Sequence, residues 1–278
     1  MAIDQRKLER ELVFSGRGTA AELTADLDQI NALEKSAKLR IRLIRWSALV
    51  VMVIFGALAF LSTNWSSLFV ISATVVPVAI LIYSLRSKPI LMDRVSFARL
   101  MLKTLDRDAG TRGRFEVLLR LRANRVQLSA GPHPHKSGAT QKMLKDEWIT
   151  LNARLNDGTS IRESAVDLIR QRSKRNPRGK LKTKERVICL LRVQLAYKLK
   201  RYGDATVAAS RVQKPFRLPD GATIKASNFT KETVSIKTIV KGNVASDKLA
   251  AASEAVLLGA YRILNLSRRT VAATGGSK

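Results

Sequence analysis

The chain has 278 residues, enough for roughly two average domains, and carries 50 Lys+Arg against 22 Asp+Glu, a formal charge of +28. No Lys, Arg, Asp or Glu lies between Trp46 and Leu85, and an uncharged run of that length in a chain that is 26% charged argues against a wholly soluble protein. One cysteine excludes an intrachain disulfide framework, and two histidines leave little for a metal centre.

Residues 1–45 form a near-balanced arm of nine basic and seven acidic side chains. Residues 4–13 read as a short helix closed by Gly16-Arg17-Gly18. Thr19 and Glu22 have the spacing of a capping box, which opens a second helix. Along it Leu23, Leu27, Ile30, Glu34, Ala37, Ile41 and Ile44 recur at intervals of four and three. That stripe of about three heptads suits pairing between subunits, with Leu23, Leu27, Ile30, Ile41 and Ile44 as oligomerisation residues. Packing against its own chain is an equal alternative.

The uncharged run is too long for one span, because 40 helical residues extend about 60 Å against a hydrocarbon core of ~30 Å. The polar cluster Ser62-Thr63-Asn64-Trp65-Ser66-Ser67 marks a turn at the membrane interface, so the sequence predicts a transmembrane hairpin with spans near 46–61 and 68–85. Pro77 predicts a kink in the second. Basic residues flank both sides and the turn has none, which places both termini in the cytoplasm of a multi-pass protein. High Ala, Leu and Arg usage fits a bacterial inner membrane.

From Arg86 onward 41 basic and 15 acidic residues give one part of the chain nearly all the surplus. Residues 86–109 keep helical spacing as a juxtamembrane helix, broken by Asp108-Ala109-Gly110. The period then changes to two. Phe115, Val117, Leu119 and Leu121 alternate with polar neighbours, as do Ile149, Leu151, Ala153 and Leu155. Asn156-Asp157-Gly158-Thr159 supplies a hairpin turn, and Val193, Leu195, Tyr197 and Leu199, then Val234, Ile236 and Thr238, continue the pattern. A final helix from Ser246 carries Leu249, Val256, Leu257, Ala260, Ile263 and Leu264 on one stripe, and residues 270–278 read as a disordered tail. The expected fold is thus a two-helix membrane hairpin plus a cytoplasmic α+β domain (110–269) of about six antiparallel strands.

Catalytic spacings do not emerge. The sequence has no phosphate-loop, dinucleotide-binding or nucleophile-elbow motif. His133 and His135 lie in a Pro-rich loop without a third ligand, Cys189 sits in an apolar run that suits a buried thiol, and Asp146-Glu147 point to opposite faces of a strand. No cofactor is implied.

The distinctive feature is a run in which eight of fifteen residues are basic: Arg170, Arg172, Lys174, Arg175, Arg178, Lys180, Lys182 and Lys184, around the loop sequence Asn176-Pro177-Arg178-Gly179. A projecting basic hairpin contacts phosphates, of anionic lipid headgroups or of a nucleic-acid backbone. The leading expectation is a non-enzymatic membrane protein whose basic domain binds or scaffolds such a partner. The alternative is an oligomeric membrane effector or channel whose domain senses a signal, as in bacterial defence systems.

Overall fold

The computed structural model describes residues 12–61, 90–110, 113–128, 133–134, 140–175, 179–211, 216–242 and 245–275. Two compact units divide the chain: Met1–Asp26 with Leu91–Lys278, and Leu27–Ile90.

The larger unit is α+β, built on one antiparallel sheet. Its strands are β1 (Val13–Gly18), β2 (Phe115–Arg120), the two-residue β3 (Val126–Gln127) and β4 (His133–Pro134), then β5 (Thr140–Arg154), β6 (Ser160–Arg175), β7 (Leu181–Ala196), β8 (Ala222–Phe229) and β9 (Thr233–Lys241). The main path runs β1-β2-β5-β6-β7-β9-β8, with β3 and β4 beside β5. Along β2, β5, β6, β7 and β9 alternate residues are buried, the period-two pattern that lets one face pack while the other stays polar.

Two helices, α2 (Met92–Ala109) and α5 (Ser246–Gly275), lie against the packed face, with the short α3 (Leu199–Tyr202) and α4 (Ala205–Arg211) beside α5. Phe97, Met101, Leu102 and Leu105 of α2 meet Phe115, Val117, Ile149 and Leu151 of the sheet in a core closed to solvent. At about 25 cal/mol per Å², each such side chain contributes roughly 1.5–3 kcal/mol. Gly110, at φ 63, ends α2 in a conformation that favours glycine.

A register shift in β5 between Glu147 and Ile149 changes the phase of the alternation. Trp148 and Ile149 are consecutive and both buried, Phe97 meeting the Trp148 ring edge-on at 5.3 Å. Before the shift the odd residues face away from the helices, after it the even ones do.

Four expectations change. Residues 13–18 form a strand, so the arm supplies an edge of the sheet; the glycines that suggested punctuation sit in extended backbone, where pairing with β2 from Val13↔Arg120 to Gly18↔Phe115 outweighs local propensity. The rest of the expected short helix, residues 4–11, lies outside the described residues. β8 is a strand that the sequence pattern does not announce, and α5 runs to Gly275 rather than ending at Arg269, carried by the helix-forming Ala272-Ala273. Among the described residues one helical segment, Ser246–Arg268, is long and apolar enough to cross a membrane, not the expected pair; half of it is buried, the mark of a core helix as much as of a span.

The smaller unit contains most of α1 (Ala20–Leu61), a continuous 42-residue helix. Thr19 caps it as expected: its amide donates to Glu22 Oε2 at 2.9 Å, and the Glu22 amide donates to its hydroxyl at 3.3 Å. The expected first span is helical to Leu61, whereas the turn at 62–67 and the second span at 68–85 lie outside the described residues.

Candidate functional site

The basic run folds as the distal half of the β6–β7 hairpin. Directly opposite residues of an antiparallel pair share a face, and the register pairs Arg170 with Arg186, Arg172 with Lys184, and Lys174 with Lys182. Three consecutive rungs of like charge therefore stand on the face turned away from α2 and α5. Such rungs place Cβ atoms about 5 Å apart and destabilise a bare strand pair.

The alternate rungs on the other face are self-sufficient. Gln171 Nε2 donates to Glu185 Oε1 at 3.2 Å, Ser173 and Thr183 share a hydrogen bond at 3.0 Å, and Arg125 pairs with Glu185 at 3.0 Å. The like-charge rungs thus share one face, and the Gln171–Glu185 and Ser173–Thr183 pairs lie on the other. A cavity of about 220 Å³ is lined by Gln141, Arg170, Arg172, Lys184 and Arg186, four cations converging on one space.

Of the eight expected residues, Arg170, Arg172, Lys174, Lys182 and Lys184 share the cationic face. Arg175 pairs with Leu181 on the other, Lys180 is exposed just before β7, and Arg178 lies outside the described residues. Sequence reading missed Arg186 and Gln141. The signal for Arg186 was available in the spacing of two that continues from Lys182 and Lys184.

The face continues toward the other end of the strands. Beyond an apolar band of buried Val166 and half-buried Leu168, Ile188 and Leu190 comes a polar row, set by register as Arg17, Glu116, Asn152, Arg162, Gln194 and Ser235. Arg17 grips Glu116 at 2.5 Å, and Asn152 Nδ2 donates to the same carboxylate at 3.4 Å. The Arg17 hydrogen bond holds the Glu116 carboxyl below its usual range.

On the helix-covered face Arg94 anchors a buried polar network. Arg94 is 8% exposed and Asp146 1%, and the guanidinium bonds that carboxylate at 2.5 Å, the Arg120 carbonyl at 3.0 Å and the Arg122 carbonyl at 3.2 Å. Asp167 stands 3.6 Å from the same guanidinium; burial raises its pKa, and Arg94 opposes the rise. Burial, then the neighbouring Asp167, pushes the Cys189 thiol up, which keeps it protonated and unsuited to nucleophilic attack. Glu163 accepts the Ser253 hydroxyl at 2.5 Å, and burial pushes its pKa up to about 7.

At the β5–β6 turn Asp157 receives the Tyr202 hydroxyl at 2.5 Å, the Thr159 hydroxyl at 2.7 Å and the Thr159 amide at 2.8 Å. Burial works against its ionised form, but these bonds outweigh it and lower its pKa. Glu147 is exposed where its neighbour Asp146 is buried, so the two do face opposite ways. Among the described residues no group of three His, Cys, Asp or Glu is placed to hold a metal; His135 lies outside them.

Of the oligomerisation stripe, Leu23, Leu27 and Ile30 are buried within a single copy, and Glu34, 8% exposed, meets Lys38 one turn on at 2.9 Å. The side chains of Ile41 and Ile44 lie outside those described. No protein family, curated protein or solved structure matches the chain.

Proposed function

We propose that this is a non-enzymatic integral membrane protein whose basic domain binds an anionic partner, through lipid headgroup phosphates or a nucleic-acid backbone, at the cytoplasmic face. The observation that carries the reading is the sorting of charge on β6 and β7. Three like-charge rungs cost folding energy, and phosphate oxygens are the natural compensation, since their bonds to Arg and Lys are charge-assisted and strong. Tethering favours lipid, because each Lys or Arg near an anionic leaflet contributes about 1 kcal/mol without an ordered partner. The open face around the cations carries no stacked aromatics among the described residues, which speaks against base-specific recognition.

The membrane part of the proposal rests on the uncharged run. A hairpin with spans near 46–61 and 68–85 and basic flanks on both sides holds both termini in the cytoplasm. A reporter inserted at Asn64 is then exported, while reporters at either terminus stay inside; a cytoplasmic reporter at Asn64 overturns the hairpin.

The binding part is tested on the full chain in mild detergent. Replacing Arg172, Lys174, Arg175 and Arg178 with Gln should flatten the salt dependence of duplex binding by ~0.9 for each phosphate no longer neutralised, and weaken sedimentation with vesicles rich in anionic lipid. The larger loss identifies the partner. Parental binding to both rejects the reading.

A further inference from the structure

The polar row bounds a cleft of about 780 Å³, at the opposite end of β6 and β7 from the cation rungs and formed wholly within the larger unit. We propose that this cleft binds a small phosphorylated ligand of nucleotide size, at a site distinct from the cation rungs. From Arg162 to Arg172 the strand runs ten residues, roughly 33 Å at strand rise, so one compact ligand does not reach both.

Three observations support the ligand class. The volume falls within the range of about 300–1,000 Å³ that encloses small molecules. The cations of the cleft are all arginines, Arg17, Arg114, Arg154 and Arg162, whose planar fork matches phosphate oxygens in pairs, whereas the rungs mix Lys and Arg. Arg17 is committed to Glu116, while Arg114, Arg154 and Arg162 are exposed and have no carboxylate partner among the described residues.

The two carboxylates of the cleft do not cancel this surplus. Glu116 is paired with Arg17, and Glu22, which stays ionised while it accepts the Thr19 amide, is one carboxylate against Arg114, Arg154 and Arg162. Between the arginines, Asn152 and Gln194 present amides that both donate and accept, which suits the edge of a base or the hydroxyls of a sugar. The occupant is therefore anionic at one end and a hydrogen-bonding heterocycle or sugar at the other.

The experiment is equilibrium titration of the full chain in mild detergent with ATP, GTP, CTP, UTP, inorganic pyrophosphate and adenosine. At least one nucleotide should bind saturably, pyrophosphate more weakly and adenosine weakest of the three classes. Arg154→Gln with Arg162→Gln should weaken the best nucleotide by roughly tenfold or more, since hydrogen bonds to charged groups are worth more than one such factor each. Both side chains are exposed, so the variant keeps its fold, which circular dichroism verifies. The quadruple Gln variant of the basic hairpin should leave nucleotide affinity within about twofold. Absence of saturable binding by every nucleotide and pyrophosphate overturns the proposal, as does affinity abolished in the hairpin variant but kept in the cleft variant, or adenosine binding as tightly as the nucleotides.

Discussion

The β6–β7 hairpin is one pair of strands with two different lives. In its proximal half Ile161, Glu163, Ala165, Leu191, Val193 and Leu195 are buried beneath helices, Glu163 accepting a hydrogen bond from Ser253. In its distal half the same row continues as Gln171 opposite Glu185 and Ser173 opposite Thr183, while the open face carries Arg170, Arg172 and Lys174 opposite Arg186, Lys184 and Lys182. The backbone ladder is common to both. What differs is whether a second layer exists to turn alternation into a core, and without that layer the period-two pattern sorts charge instead of hydrophobicity.

If that contrast is right, substitutions in the covered region act on stability and those in the distal half act on binding. The largest expected effect is Arg94→Met. It strands the Asp146 carboxylate in the core, and breaking a buried pair from one side costs about 3–5 kcal/mol, read as a lower denaturation midpoint.

Next in size is a pH effect at Glu163. Its folded pKa of about 7 is raised above the unfolded value, so its contribution is complete at acidic pH and is lost as pH rises through that range. The parent should lose on the order of 3 kcal/mol between about pH 4.5 and 7. Glu163→Gln should remove most of that slope, and an unchanged slope in denaturation measured across the range assigns it to other groups.

Asp157 runs in the opposite sense. Its folded pKa is lowered, so the stabilisation it gives is present above the ordinary carboxylate range and vanishes as pH falls through the folded value. Asp157→Asn should cost about 1–2 kcal/mol at neutral pH and little in acid, measured by thermal unfolding. The smallest effect belongs to the distal half: the quadruple Gln variant should shift the midpoint by less than about 0.5 kcal/mol, toward higher stability where like charges no longer face each other. A large loss there would erase the distinction between the halves.

Alternation makes β2, the inner parts of β5 to β7, β9 and the stripe of α5 readable from residues alone, because those segments bury one face and their composition says so. β1 and β8 are not readable in this way. Both are edge strands, one carrying Gly16 and Gly18, the other mostly exposed, and their conformation is dictated by the neighbour they pair with. The lysine-rich start of β7 is hidden for the same reason, since Leu181 to Glu185 has no apolar rhythm of its own. The cations of the site are plain in the sequence, whereas their common face, and the cleft assembled from β1, β2, β5, β6 and β7, exist only through register.

One geometric detail of the hairpin bears on how the molecule keeps apart from its own copies. The pairing of β7 with β9 ends at Ile188↔Lys241, so among the described residues Leu181 to Val187 has a strand on one side only. That leaves a row of backbone donors and acceptors open to edge-to-edge association, the route by which strands template aggregates. Lys182, Lys184 and Arg186 project from this very segment, and a second chain approaching it in register would bring its own cations alongside. The basic surplus thus acts as a colloidal guard for the exposed rim, strongest at low ionic strength and weakened as salt screens it.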